Sequence, residues 1–471
     1  MKIIDYLVFF ALMGIAMLAA SCSKDEIVKE FVYVTEEKIV EKVEFNTLSE
    51  RYSDINETTS YFKNQEYFTG YLSKQFIIDQ LNIFSDDHSQ YWVFGKNIAI
   101  LDFDDDGKQD IIAFGSSFCA DHDYSTHNGI FIYVSDYING GAIKSFSSDS
   151  YYGLELDVND FNGDSVSDVM FFPDDTKMNS YNWNEDSGGN TNNPPNSPTL
   201  LYYDKTFNTL KSSKVGIAMD HHGASSGDLD NDGDIDFIQW PIPGRYSDED
   251  TYLDPIVNYN QGSGIFTQQK LITDLEPDKW HASAYEIFDI NNDGFLDLIA
   301  GWRVGVPKWE VHGDYIENTL PGPVLFYGNG TGTFTRSSSY ILTESILSDK
   351  NIQAGLLGVS FTDYDLDGDI DILLTTTREE PDGLDSDEGL YYNNYHLVLL
   401  INENGTFTDN SNLIQEQWSN DISNFYFIRT IDKNNDGRFD LVPDGFANWS
   451  SMQYGNDIHW LNINDTYLKI N

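Results

Sequence analysis

Two cysteines, Cys22 and Cys119, are all that this chain of 471 residues carries. No disulfide framework can organise it if Cys22 is otherwise occupied. Positive charge is equally scarce: 27 Lys and Arg stand against 77 Asp and Glu, a formal net charge of −50. Phosphate contacts need a basic footprint, so the chain is not expected to bind nucleic acid. The apolar run near the N-terminus, Tyr6 to Ala20, has 15 residues, short of the roughly 20 that a membrane-spanning helix needs. What is present is ample material for a core, 40% hydrophobic and 14% aromatic residues. The acid is lopsided, with 55 Asp against 22 Glu. Asp favours turns and hard-cation sites rather than helices.

Lys2 and the apolar run read as a signal peptide over residues 1–21. It ends in Leu18-Ala19-Ala20-Ser21-Cys22, which resembles a bacterial lipobox, with Cys22 the lipidated first residue of the mature chain. Ser23-Lys24-Asp25-Glu26 resembles the acidic tag that directs some Gram-negative lipoproteins to the cell exterior. The expectation is a surface-exposed outer-membrane lipoprotein that meets the membrane through its acyl anchor only. Residues 22–46 alternate charged and β-branched residues, as an extended tether, a short helix or a small coiled-coil seam would. Residues 47–90 lack any repeat and read as an N-terminal cap.

From residue 91 to 471 one nine-residue pattern recurs six times. Its acidic or amide positions one, three, five and nine are Asp102, Asp104, Asp106 and Asp110; Asp160, Asn162, Asp164 and Asp168; and Asp228, Asp230, Asp232 and Asp236. The later copies hold Asp289, Asn291, Asp293 and Asp297; Asp363, Asp365, Asp367 and Asp371; and Asp432, Asn434, Asp436 and Asp440. First positions are 58, 68, 61, 74 and 69 residues apart, where chance predicts about 0.1 matches in the whole chain.

Oxygen ligands at positions one, three and five of a tight loop converge on one point, and glycine at position six permits the reversal. Position nine returns a fourth side chain. An all-oxygen set in a flexible array suits Ca²⁺; Mg²⁺ prefers more water, and the lack of His or Cys disfavours zinc. About six structural Ca²⁺ are therefore expected. The plainer alternative is a set of Asp-Gly turns without an ion, and it has most force in the second loop, where Ser165 replaces glycine.

Each loop lies between apolar runs, such as Ile98–Leu101 before it and Ile111-Ile112 after it. A second hairpin follows with a Gly/Asn turn, clearest at Tyr327-Gly328-Asn329-Gly330 before Phe334, and again at residues 257–266 and 399–407. Four strands per roughly 65 residues make one propeller blade. The chain is expected to be all-β, a β-propeller of six four-stranded blades (alternatively seven) with a cation loop in each turn between the first and second strands.

These loops and the Tyr-Gly-Asn-Gly hairpin resemble the VCBS/FG-GAP repeat, the calcium-loop blade of integrin-α-like propellers. The resemblance implies the fold and the metal. It leaves function open, because the family includes adhesins, lectins and some polysaccharide-degrading enzymes.

The connectors between second and third strands should emerge on the face opposite the cation loops. Five of them are long and aromatic, and three of these five, residues 241–255, 301–323 and 375–395, contain Arg245, then Trp302, Arg303 and Trp309, and then Arg378 and Tyr392. Aromatic faces stack on sugar rings, and Arg holds a carboxylate or sulfate bidentately. These six residues are the candidate ligand site, for an extracellular glycan or protein. His221, His222 and His281 fall near the same face, yet no Ser/His/Asp or paired-carboxylate spacing stands out. The primary expectation is a calcium-stabilised surface binding protein, an adhesin or receptor, and not an enzyme. The alternative is a polysaccharide lyase or hydrolase on the same scaffold.

Overall fold

The computed structural model describes residues 32–35, 38–42 and 89–92 and, apart from short gaps, 97–119, 129–173, 197–240, 255–301, 323–337, 354–378, 395–419, 427–444 and 459–470. Among these residues there is no α-helix; one 3₁₀ turn, Ser411–Leu413, interrupts an otherwise all-β chain.

Among the described residues, six antiparallel sheets of four or five strands follow one another, each built on a meander of strands A to D in chain order. The A strands are Ile98–Leu101, Gly153–Asn159, Ser225–Gly227, Ala284–Phe288, Ala354–Thr362 and Phe427–Ile431. Each B strand begins on position nine of a cation loop: Asp110–Cys119, Asp168–Pro173, Asp236–Gln239, Asp297–Gly301, Asp371–Arg378 and Asp440–Asp444. Consecutive A strands touch one another from blade one through blade six. The sheets therefore splay outward from neighbouring inner edges, as propeller blades do.

Burial follows that radial order. The B strands of blades two, three and four are buried at every residue, whereas the outer strands Ile143–Ser147, Thr209–Lys214 and Phe266–Lys270 are mostly exposed. The core lies between blades. Leu156 and Val158 pack with Phe103, Phe114 and Tyr133 between blades one and two, and Tyr285 and Ile287 pack with Trp240 and Val257 between blades three and four.

Two segments add strands that the sequence pattern leaves unsettled. Within residues 22–46, Val32–Thr35 and Lys38–Lys42 pair as an antiparallel hairpin. Ser89–Trp92 crosses the boundary drawn at residue 90 and pairs with the far end of the blade-one B strand, from Ser116 to Cys119. That strand therefore occupies the start of what reads in sequence as a connector.

Candidate metal centres

The loops build themselves from backbone geometry. Position-one Asp accepts the N–H groups of positions five and six: Asp228 takes Asp232 at 3.1 Å and Gly233 at 3.0 Å, and Asp289 takes Asp293 at 3.0 Å and Gly294 at 2.9 Å. Position-five Asp accepts the N–H of position seven, as Asp293 does from Phe295 at 2.9 Å. Each such bond closes a small Asx-type turn. Glycine at position six is left-handed, with φ of 95° at Gly233 and 100° at Gly368. Ser165 adopts the same region at φ 68°, so the second loop keeps the common shape despite its side chain. Position four is left-handed as well, at Asp105, Gly163, Asn231, Asn292 and Leu366. Sequence reasoning passes over that position; the Asn, Asp and Gly at four of these five places are the signal for it.

Position nine does more than offer a ligand. The Asp236 carboxylate takes the N–H of Leu229 at 3.0 Å on one oxygen and that of Asn260, the last residue of the C strand Ile256–Asn260, at 2.8 Å on the other. Asp371 does the same with Tyr364 at 2.7 Å and Asn402 at 2.8 Å. It thus pins the cation loop to the third strand of its own blade. Asn260 and Asn402 then reach the neighbouring blade, where their side-chain amides donate to the Phe161 carbonyl at 2.7 Å and the Ile290 carbonyl at 3.1 Å. In blade four Gly328 replaces the Asn, and the backbone N–H of Gly332 donates to Leu229 O at 3.0 Å instead. The cation loops and the contacts between blades are one hydrogen-bond system.

In three blades the carboxylates close on a common point. One oxygen from each of Asp102, Asp104 and Asp110 lies within 4.8 Å of the others, and the same holds for Asp228, Asp230 and Asp236 and for Asp363, Asp365 and Asp371. One carboxylate oxygen of Asp104 and one of Asp230 are buried with no hydrogen-bond donor. Converging hard oxygens, with one on Asp104 and one on Asp230 left without a donor, fit a divalent cation. Burial pushes position-nine carboxyls upward, to about 8 for Asp168, Asp236 and Asp371 and about 7 for Asp297. Position-one and position-five carboxylates of the same loops add repulsion to Asp168 and Asp297, and those at positions one and three to Asp236 and Asp371. In blade one the Tyr133 hydroxyl stands against the set, 3.0 Å from Asp104 and 3.1 Å from Asp110.

A second acidic group lies on the inner strands, where the sequence reading placed nothing. Glu155, Asp157 and Glu286 are 1–4% exposed, and all three repel the ionised form of the buried Tyr285 phenol. Ser225 Oγ lies 3.2 Å from Glu286 and accepts the N–H of Ile287 at 3.0 Å.

The expected ligand residues Arg245, Trp302, Arg303, Trp309 and Tyr392, with His221, His222, His281 and Cys22, lie outside the described residues. Arg378 closes the B strand of blade five and Cys119 that of blade one, with their backbones described and their side chains not.

No family model matches the chain, and no curated protein matches it. Among solved structures, an ancestral GH74 enzyme is similar at 12% identity and TM-score 0.40, over 77% of this chain and 42% of that one. The rhamnogalacturonan lyase PL11 of Bacillus licheniformis is similar at 13% identity and TM-score 0.31, over 61% and 55%. A GH43 β-xylosidase/α-arabinofuranosidase from a compost microbial metagenome is similar at 11% identity and TM-score 0.28, over 68% and 93%. The chain spans about half the length of the first two. Likenesses this distant define no activity and no substrate. They do correct the expectation that the chain is not an enzyme: the similar structures are themselves described as enzymes, a GH74 enzyme, a rhamnogalacturonan lyase and a β-xylosidase/α-arabinofuranosidase.

Proposed function

We propose that this protein is a calcium-stabilised β-propeller of the VCBS/FG-GAP kind, tethered at the cell exterior through Cys22, that binds an extracellular polysaccharide and cleaves it as a lyase or hydrolase. The observation that carries the calcium part is the convergence of three carboxylates in each of three loops, with undonated buried oxygens on Asp104 and Asp230. The loop residues at positions one, three, five and nine would hold the ions, whose charge offsets repulsion that otherwise opposes folding. Binding to the folded state alone stabilises by about 2.7 kcal/mol per site at a hundredfold excess over Kd.

The catalytic part is supported by Glu155, Asp157 and Glu286. Polysaccharide cleavage needs positioned carboxyl groups as acid, base or nucleophile. Substrate contacts are assigned to Arg245, Trp302, Arg303, Trp309, Arg378 and Tyr392 on the face opposite the cation loops. In a chain at −50, those arginines oppose the field that would repel an acidic glycan.

Two measurements test the reading. Excess chelator should lower the melting temperature and millimolar calcium restore it; an unchanged melt overturns the calcium part. A panel of acidic and neutral polysaccharides should yield new reducing or unsaturated ends, lost in Glu286→Gln. Binding without new ends overturns the catalytic part, and a pure receptor would then be the correct description.

A further inference from the structure

The six loops are not equivalent, and their differences are ordered. Position three is Asp104 in blade one, Asn162 in two, Asp230 in three, Asn291 in four, Asp365 in five and Asn434 in six. Acid and amide alternate without exception.

The structure shows what the exchange does inside the loop. In every Asn blade the amide N–H turns onto a carboxylate of the ligand set: Asn162 to Asp168 at 3.0 Å, Asn291 to Asp293 at 3.1 Å and Asn434 to Asp436 at 3.0 Å. The amide oxygens of Asn291 and Asn434 meanwhile accept the N–H of Asp293 at 2.9 Å and of Asp436 at 3.0 Å. The amide thus answers both needs of these loops from within. In the Asp blades a carboxylate occupies that place and has no hydrogen to give. Those are the blades where three carboxylates close to within 4.8 Å and where Asp104 and Asp230 keep buried oxygens with no donor.

Flanking charge follows the same division. Blades three and five each hold five Asp within nine residues and no basic residue. Blades two and four hold three Asp each, and blade six sets Lys433 and Arg438 beside its three. Blade one is an intermediate member of the strong class, since Lys108 pairs with its Asp106 at 2.8 Å.

We propose that the propeller carries two classes of calcium site that alternate from blade to blade, strong in one, three and five and weak in two, four and six. Affinity at oxygen sites is tuned by the number of charged ligands and by site rigidity. A weak site offers one carboxylate fewer at position three, where an amide already donates to a carboxylate of the same loop. At intermediate calcium every second blade is filled, so each contact between consecutive blades joins a loaded loop to an empty one. The strong set holds the fold, and the weak set responds to calcium in the surroundings. This inference rests on the calcium reading proposed above.

Calorimetric titration of the chelator-stripped mature chain with calcium chloride tests it. The expected result is two phases of three equivalents each, with affinities separated by about tenfold or more. Asn291→Asp should move one equivalent from the weak phase to the strong, and Asp230→Asn should move one the other way; circular dichroism confirms that both variants are folded. Six equivalents in a single class, or variants that leave the division at three and three, overturn the alternation and leave the calcium reading intact. No bound calcium at all overturns both.

Discussion

The loop of blade two and the loop of blade three share a shape and differ in chemistry. In blade two Asp160 accepts the N–H groups of Asp164 and Ser165 at 3.0 and 2.7 Å; in blade three Asp228 accepts those of Asp232 and Gly233 at 3.1 and 3.0 Å. Both are left-handed at positions four and six. Yet blade two has Ser165 where blade three has Gly233, and Asn162 where blade three has Asp230. Shape therefore comes from backbone donors captured by positions one, five and nine. Charge at position three is free to vary on top of that shape.

What the two loops share should respond alike, beginning with the largest effect. Their position-nine carboxyls, Asp168 and Asp236, are both held up at about 8, as is Asp371, mainly by burial. Between the ordinary Asp value of about 4 and 8, the folded calcium-free chain binds more protons than the unfolded chain. Its stability should therefore fall as pH rises across that window. Calcium competes with those protons, so the gap between loaded and calcium-free melting temperatures should widen over the same range. A calcium-free melt that rises between pH 5 and 8 would contradict this.

The next effect isolates the staple from the ion. Asp236→Ala strands the N–H groups of Leu229 and Asn260 in a buried site, and each unsatisfied donor costs about 1–3 kcal/mol. Denaturant unfolding in excess chelator should show a loss of about 3 kcal/mol or more. Asp234→Ala, in the same loop but neither buried nor part of the staple, should show about 0.5 kcal/mol or less. Equal losses would mean that position nine serves the ion alone. The smallest effect separates the two loops. Ser165→Gly should stabilise blade two by about 0.5–1 kcal/mol by relieving a left-handed φ of 68°. Gly233→Ser should destabilise blade three by a similar amount, and a loss in both variants would show that the serine hydroxyl is itself used.

Much of this was legible because the loop chemistry is local. Asp at positions one, three and five and glycine at six dictate a turn whatever surrounds them, and each B strand begins where position nine stands. The left-handed position four was legible in principle from Asp105, Gly163, Asn231 and Asn292, but Leu366 at the fifth place obscured the rule. The inner carboxylates Glu155, Asp157 and Glu286 were not legible, because their burial depends on which blades flank them.

Taken alone, the chain of residues determined six Asp-rich loops, the strands on either side of them and their order, since turn geometry and strand alternation act over a few residues. Only the tertiary structure decided that Asp236 joins its loop to Asn260, and that Asn260 and Asn402 tie blades three and five to blades two and four. Those contacts span about 20 to more than 100 residues. Hydrogen bonds and charges act across space, and which distant groups come within their few ångströms is settled when the blades pack.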